Sequence, residues 1–182
     1  LGILDNTFIL FTSDNGFFYG EHGLSIERRM PYDESIRTPM IVRYPPLAAR
    51  NAERSEIVAS IDIAPTVLDI AGAPIGDQIQ GRTFVPLLQG LTAGWRESLL
   101  IEFYTYENPF SWLVDMDYRA LRTARYKYIH WMQHPDENEL YDLESDPYEM
   151  QNLIDDPMMT GTLADLRRQL ALAAIDAMGL TP

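Results

Sequence analysis

The run Phe8-Ile9-Leu10-Phe11-Thr12-Ser13-Asp14-Asn15-Gly16 constrains this chain more than any other stretch. An apolar, β-prone segment too short for a helix ends in a hydroxyl, an acid, an amide and a glycine. That order describes a buried strand running out into a turn. A glycine-bounded turn follows, Gly20-Glu21-His22-Gly23, and then the charged cluster Glu27-Arg28-Arg29. In open α/β sheets, ligands bind beyond the carboxyl ends of the strands. There Asp14 and Asn15 present hard oxygen donors, suited to a divalent cation such as Ca²⁺ or Mg²⁺. Arginines close behind suit an anionic group held against that metal. The competing reading is plain turn chemistry, because Asp, Asn and Gly are ordinary turn residues.

The chain has 182 residues, of which 46% are hydrophobic, so it can bury a sizeable core. No apolar run approaches the ~20 residues that a membrane-spanning helix needs. A net charge of −13 argues against nucleic-acid binding through a broad basic surface. It leaves room for a local cationic pocket, and Arg28, Arg29, Arg37 and Arg43 lie close together in sequence. The absence of cysteine excludes disulfides, thiolate metal sites and a cysteine nucleophile from these residues. The chain opens on Leu1-Gly2-Ile3-Leu4-Asp5, with no initiator Met and a core strand almost at once. The expectation is a fragment whose N-terminal part is missing.

Thr7–Thr12 and Met40–Tyr44 read as strands, the second closed by Pro45-Pro46. Asp62 reads as the N-cap of a helix over Ile63–Ala71, with Gly72 as its stop and Pro65 tolerated in its first turn. A short helical turn falls within Gly81–Gln89. Beyond Gly94-Trp95 the pattern changes. Ser98–Phe103, Tyr118–Thr123, Tyr126–Trp131 and Glu139–Leu143 read as strands, with Thr123-Ala124 joining the middle two as a hairpin that lacks the usual glycine. Met159–Met178 reads as one amphipathic helix with Leu163, Leu166, Leu170 and Ala174 on its buried face. The expected fold class is therefore α/β over residues 1–95, followed by a small antiparallel α+β part with a C-terminal helix over residues 96–182.

Thr12-Ser13-Asp14-Asn15-Gly16, Gly20-Glu21-His22-Gly23-Leu24 and Tyr32-Asp33-Glu34-Ser35-Ile36-Arg37-Thr38-Pro39 resemble, in that order, the later half of a sulfatase of the alkaline phosphatase superfamily. Val58-Ala59-Ser60-Ile61-Asp62-Ile63-Ala64-Pro65-Thr66, Gln80-Gly81-Arg82-Thr83-Phe84 and Pro86-Leu87-Leu88 continue the match. So do Tyr118-Arg119-Ala120-Leu121-Arg122-Thr123, Tyr126-Lys127-Tyr128-Ile129, Glu139-Leu140-Tyr141-Asp142-Leu143, Asp146-Pro147 and Asn152-Leu153. The resemblance covers nearly the whole chain and implies an alkaline-phosphatase-like α/β sheet that belongs to a sulfate-ester hydrolase. It implies Asp14 and Asn15 as metal ligands, with Ca²⁺ the expected ion and Mg²⁺ the alternative. It also implies a formylglycine nucleophile made from a Cys/Ser-x-Pro-x-Arg motif in the N-terminal half of such enzymes. That motif does not occur in these residues. The chain is thus expected to be inactive alone, to need the missing N-terminal half as a partner, and to expose a sheet surface through which it self-associates.

Arg28 is the implied sulfate-binding cation, four residues before Tyr32, where the family commonly has Lys. Counting forward from the Gly-Glu-His-Gly turn lands on Glu27 instead, so Arg28 and Arg29 both stay open, beside the reading of a solvated basic turn. His22 could donate to a substrate oxygen or orient a ligand; a structural hydrogen bond within its turn is the alternative. Glu34 and Arg37 read as an i, i+3 scaffold pair. His130 and His134 read as structural and unspecific, respectively. Tyr104, Tyr106, Phe110 and Trp112 form an aromatic loop that could stack on the sugar or arene of a sulfate ester; core packing is the other reading. Two further functions remain: a phosphoryl or phosphonate ester hydrolase of the same superfamily, and a non-catalytic binding or assembly module that retains the fold.

Overall fold

The computed structural model describes residues 1–24, 28–105 and 114–179. The chain forms two compact units: residues 1–15 with 38–96, and residues 16–37 with 97–182. A division at 95/96 would assign residues 16–37 to the first unit. Their bonds run instead to the sheet of the second, as set out below.

In the first unit, β1 (Ile9–Thr12) pairs antiparallel with β2 (Met40–Arg43), Phe11 opposite Ile41 and Thr12 opposite Met40. These two strands make a sheet of their own. Expected as buried, β1 instead alternates between exposed and half-buried residues. A two-stranded sheet covered on one face leaves the alternate residues of the other face open. Phe11 is 62% exposed and Ile41 63%, so the cross-strand pair forms an apolar patch.

The rest of this unit is organised by Asp62, which is fully buried. The residue does precede α2 (Ile63–Ile70), but its carboxylate makes no cap bond to that helix. It accepts from the Ala59 N–H at 2.8 Å, from the Arg82 N–H at 2.8 Å and from Arg96 Nη2 at 2.7 Å, with Arg96 Nη1 on its second oxygen. A buried carboxylate is tolerated because donors surround it. One carboxylate thereby ties the turn before α2 to the segment leading into α3 (Val85–Leu88) and to the end of the unit.

The second unit is a four-stranded antiparallel sheet in the order β3 (Ser98–Phe103), β4 (Tyr118–Thr123), β5 (Tyr126–Trp131), β6 (Glu139–Asp142). The first three strands have the bounds expected from their β-prone runs. The β4–β5 connector is Ala124-Arg125, not Thr123-Ala124. Thr123 closes the turn in place of a glycine: its hydroxyl donates to the Tyr126 carbonyl at 3.0 Å and accepts from the Tyr126 N–H at 2.8 Å. Alternation along the strands sends Leu121, Tyr128 and Leu140 to one face, where they meet Leu163, Leu166 and Leu170 of α4 (Thr160–Ala177). Each such side chain buried contributes about 1.5–3 kcal/mol. Tyr118, Ala120, Ile129, Trp131 and Tyr141 form the other face, and Met30 and Tyr32 pack there. The segment carrying the basic residues is therefore the second cover of this sheet.

At the sheet's edge, Arg125 grips Asp142 with two bonds, Nε to Oδ1 at 3.0 Å and Nη2 to Oδ2 at 2.7 Å. The guanidinium holds the Asp142 carboxyl below the usual carboxylate range. A depressed carboxyl contributes stability that is fully present above its unfolded value, near ~3.9, and that fades as pH falls through the lower folded value. Asp142→Asn is thus expected to destabilise at pH 7 and to narrow that gap below pH ~4. Urea denaturation of both proteins at pH 7 and pH 3 checks this; a gap as wide at pH 3 would disprove the pairing.

Candidate functional site

Asp14 and Asn15 stand just past the end of β1, both exposed. Ser13 orders this turn, its hydroxyl donating to the Asn15 carbonyl at 2.8 Å and lying 3.4 Å from Asp14 Oδ1. The donors are a carboxylate and an amide oxygen, the hard oxygen set that suits Ca²⁺ or Mg²⁺. Among the described residues no group of three or more His, Asp or Glu is arranged to hold a metal ion. Ca²⁺ takes about 6–8 oxygens, so these two residues fit as part of a ligand set rather than a whole one.

His22 and Arg28 belong to the second unit. His22 sits in a left-handed conformation, φ 54°, in the turn Glu21–Gly23. Its ring stacks on Tyr32 with centroids 4.0 Å apart, and Nε2 lies 3.2 Å from Glu34 Oε2. Glu34 therefore pairs with His22, not with Arg37. Arg37 reaches Asp33 at 3.8 Å, an i, i+4 contact in place of the i, i+3 pair expected. The α1 turn (Asp33–Ile36) ends before Arg37, whose backbone is extended, φ −96° and ψ 104°.

Arg28 is exposed and Arg29 half-buried. Their main chain is held by two hydroxyls: Ser35 Oγ donates to the Arg28 carbonyl at 2.5 Å, and Tyr118 Oη to the Arg29 carbonyl at 2.8 Å. Next along the chain, Tyr32 Oη donates to the Glu139 carboxylate at 3.1 Å. Trp131 Nε1 at 2.9 Å and Tyr141 Oη at 2.5 Å donate to the same carboxylate. Burial first, and then that carboxylate, push both tyrosine hydroxyls well above their ordinary range, so they remain donors.

Beneath this lies a cluster of charge that sequence reasoning did not find. Lys127, fully buried, places Nζ 2.5 Å from Asp33 Oδ1 and 2.7 Å from Glu149 Oε1. Arg122 Nε is 3.7 Å from Asp33 Oδ1. Glu149, also buried, accepts from the Asp33 N–H at 2.7 Å and so satisfies the open end of α1. Burial pushes the Glu149 carboxyl up, against the downward pull of Lys127. The only sequence signal was a lysine inside the strand run Tyr126-Lys127-Tyr128-Ile129.

His130 Nδ1 lies 3.2 Å from Asn138 Oδ1, a hydrogen bond within the sheet edge. His134 precedes the short turn Pro135–Glu137. Tyr104 is engaged at the surface: its hydroxyl donates to Glu102 at 2.8 Å and accepts from Arg119 at 3.0 Å. Glu27, Tyr106, Phe110 and Trp112 lie outside the described residues.

Comparison with known proteins supplies the class. The chain is 42% identical over 156 residues to the N-acetylglucosamine-6-O-sulfatase of Bacteroides thetaiotaomicron, covering 84% of this chain and 27% of that relative. A solved protein in complex with its substrate D-glucosamine-2-N,6-O-disulfate superposes with a TM-score of 0.85 at 36% identity, over 93% of this chain and 34% of that one. The phosphonate monoester hydrolase of Silicibacter pomeroyi superposes with a TM-score of 0.81 at 27% identity, over 94% of this chain and 35% of that one. The chain thus spans about a quarter to a third of these proteins. Its fold and relatives are those of the sulfatases of the alkaline-phosphatase-like superfamily. Within them, the chain belongs to the family described as N-sulphoglucosamine sulphohydrolase, C-terminal, whose model matches residues 20–175.

Proposed function

We propose that this chain is the C-terminal part of a metal-dependent sulfatase that removes sulfate from a glucosamine unit. The observation that carries this reading is the 42% identity to an N-acetylglucosamine-6-O-sulfatase. In it, Asp14 and Asn15 contribute oxygen ligands to a divalent cation, with Ca²⁺ preferred, and further ligands come from the rest of a longer polypeptide. When bound, the metal supplies positive charge to the sulfate oxygens. Arg28 donates to the sulfate group through its planar fork. The nucleophile also comes from the rest of the polypeptide, because no Cys/Ser-x-Pro-x-Arg run occurs in these 182 residues. The same remainder covers the apolar face of Ile9, Phe11 and Ile41; without it, that face is open to self-association.

The test uses the full-length enzyme with glucosamine 6-sulfate, an aryl sulfate and a phenylphosphonate monoester, in Ca²⁺ and after chelation. Turnover of the sulfates that chelation abolishes is the expected result. Asp14→Ala is expected to lower kcat/KM at least about a hundredfold, since charge stabilisation by a metal is worth several kcal/mol. The chain by itself is expected to show no turnover. The likeness to a phosphonate monoester hydrolase favours a second reading, the hydrolysis of phosphonate esters. Faster turnover of the phosphonate than of either sulfate would select it.

A further inference from the structure

Two consecutive carbonyls of the basic segment Arg28-Arg29 are bonded by side-chain hydroxyls from different elements. Ser35 on α1 takes the carbonyl of Arg28, and Tyr118 at the start of β4 takes that of Arg29. Both bonds are part-buried, so each supplies a partner that water would otherwise have to provide. Both donors are themselves fixed. Ser35 is fully buried, and its main chain is tied in both directions: its N–H bonds to the Tyr32 carbonyl at 2.9 Å, and its carbonyl accepts from the Gly16 N–H at 2.7 Å. Tyr118 is 3% exposed, with its ring stacked on Phe103 and edge-on to Trp131, centroids 5.8 and 5.4 Å away. The α1 turn that carries Ser35 is anchored to the sheet by Lys127 and Glu149 through Asp33.

We propose that Ser35 and Tyr118 are positioning residues for the sulfate-binding cation: they hold the main chain at Arg28 and Arg29, so that the exposed residue Arg28 meets a sulfate group from a preset backbone. This rests on the reading of Arg28 as that cation. A donor whose main chain is ordered beforehand loses less freedom on binding, and so binds more tightly with no added contact. Arg28 is the more presented of the two, because it is exposed where Arg29 is half-buried. Losing the Tyr118 hydroxyl leaves its packed ring in place but frees the Arg29 carbonyl. Sulfate then has to order this segment as it binds, which weakens ground state and transition state alike. Such uniform loss raises KM and leaves kcat unchanged.

The experiment uses the full-length enzyme, inorganic sulfate as the binding probe and an aryl sulfate as the substrate. Tyr118→Phe is expected to weaken the inhibition constant of inorganic sulfate by about three- to tenfold, the range of one hydrogen bond. KM should rise by the same factor, with kcat within about twofold of the parent. Ser35→Ala should act in the same direction. Arg28→Met is the reference variant, and the double variant Arg28→Met/Tyr118→Phe closes the cycle. If Tyr118 acts through Arg28, adding Tyr118→Phe to Arg28→Met changes sulfate affinity no further; additive losses would show a merely structural tyrosine and overturn the proposal. Unchanged sulfate affinity in Tyr118→Phe, with Arg28→Met impaired, would also overturn it. Unchanged affinity in Arg28→Met would instead remove the reading of Arg28 on which it stands.

Discussion

Lys127→Met is expected to lower the unfolding free energy of the second unit by about 3–5 kcal/mol, the usual consequence of removing one partner from a buried ion pair. Methionine keeps most of the volume, so a cavity is not the cause. The cause is charge. Lys127 is the fully buried cation between Asp33 and Glu149; Arg122, at 3.7 Å from Asp33, and the largely exposed Arg37, at 3.8 Å, are the other cations near that carboxylate. Without Lys127, the buried Glu149 loses its cation, and Asp33 keeps Arg122 and the exposed Arg37 at 3.7 and 3.8 Å. The Nζ contact to Glu149 Oε1, at 2.7 Å, is an ion pair without the alignment of a hydrogen bond. Among the described residues that oxygen has no hydrogen-bond partner. The same argument predicts a rescue. Glu149→Gln added to Lys127→Met removes the excess negative charge and keeps an acceptor for the Asp33 N–H, and it should restore most of the loss. Urea denaturation of the three proteins checks both statements. A loss under about 1 kcal/mol in the single variant would mean that the cluster is hydrated.

Gly16→Ala is expected to cost about 3 kcal/mol or more. A Cβ at this position would lie 1.8 Å from the Glu34 carbonyl oxygen, 2.8 Å from its carbon and 3.3 Å from the Ser35 Cα. All three are main-chain atoms, so no flexible side chain can move aside. The methyl group must separate two strands of chain that are joined by the Gly16 N–H to the Ser35 carbonyl at 2.7 Å and the Phe17 N–H to the Glu34 carbonyl at 2.9 Å. Overpacking alone costs about 1–3 kcal/mol, and each hydrogen bond broken adds about 1 kcal/mol. Gly76→Ala is the control, since a Cβ there meets nothing within 4 Å. Thermal melting of both variants beside the parent is the measurement. A Gly16→Ala protein that melts with the parent would refute the close approach.

The same glycine shows where reading the chain stops. In sequence, Asp14-Asn15-Gly16 reads as a strand-ending turn made of ordinary turn residues. In the structure Gly16 is not among the positive-φ residues, and it is required by a carbonyl from a segment eighteen residues further on. Glu34 and Arg37 carried a local pairing argument, yet each found another partner, His22 and Asp33. Asp62 stands where a helix cap belongs, but its carboxylate serves Ala59, Arg82 and Arg96.

What the chain determined by itself is local and periodic. Three strands of the second unit have the bounds of their β-prone runs, and α4 buries Leu163, Leu166, Leu170 and Ala174 on the face that a 3.6-residue period selects. The order of many short motifs was enough to name the superfamily, because each motif constrains only its neighbours and survives as a string. What only the tertiary structure decided is pairing across long separations. Lys127 in an alternating strand has no local feature to say that it is buried; Asp33 and Glu149, from two distant segments, make it so. Likewise Tyr118 and Ser35 are unremarked hydroxyls until folding brings them to the carbonyls of Arg29 and Arg28. Propensity and periodicity act between neighbours in the chain, whereas desolvation and ion pairing act between neighbours in space.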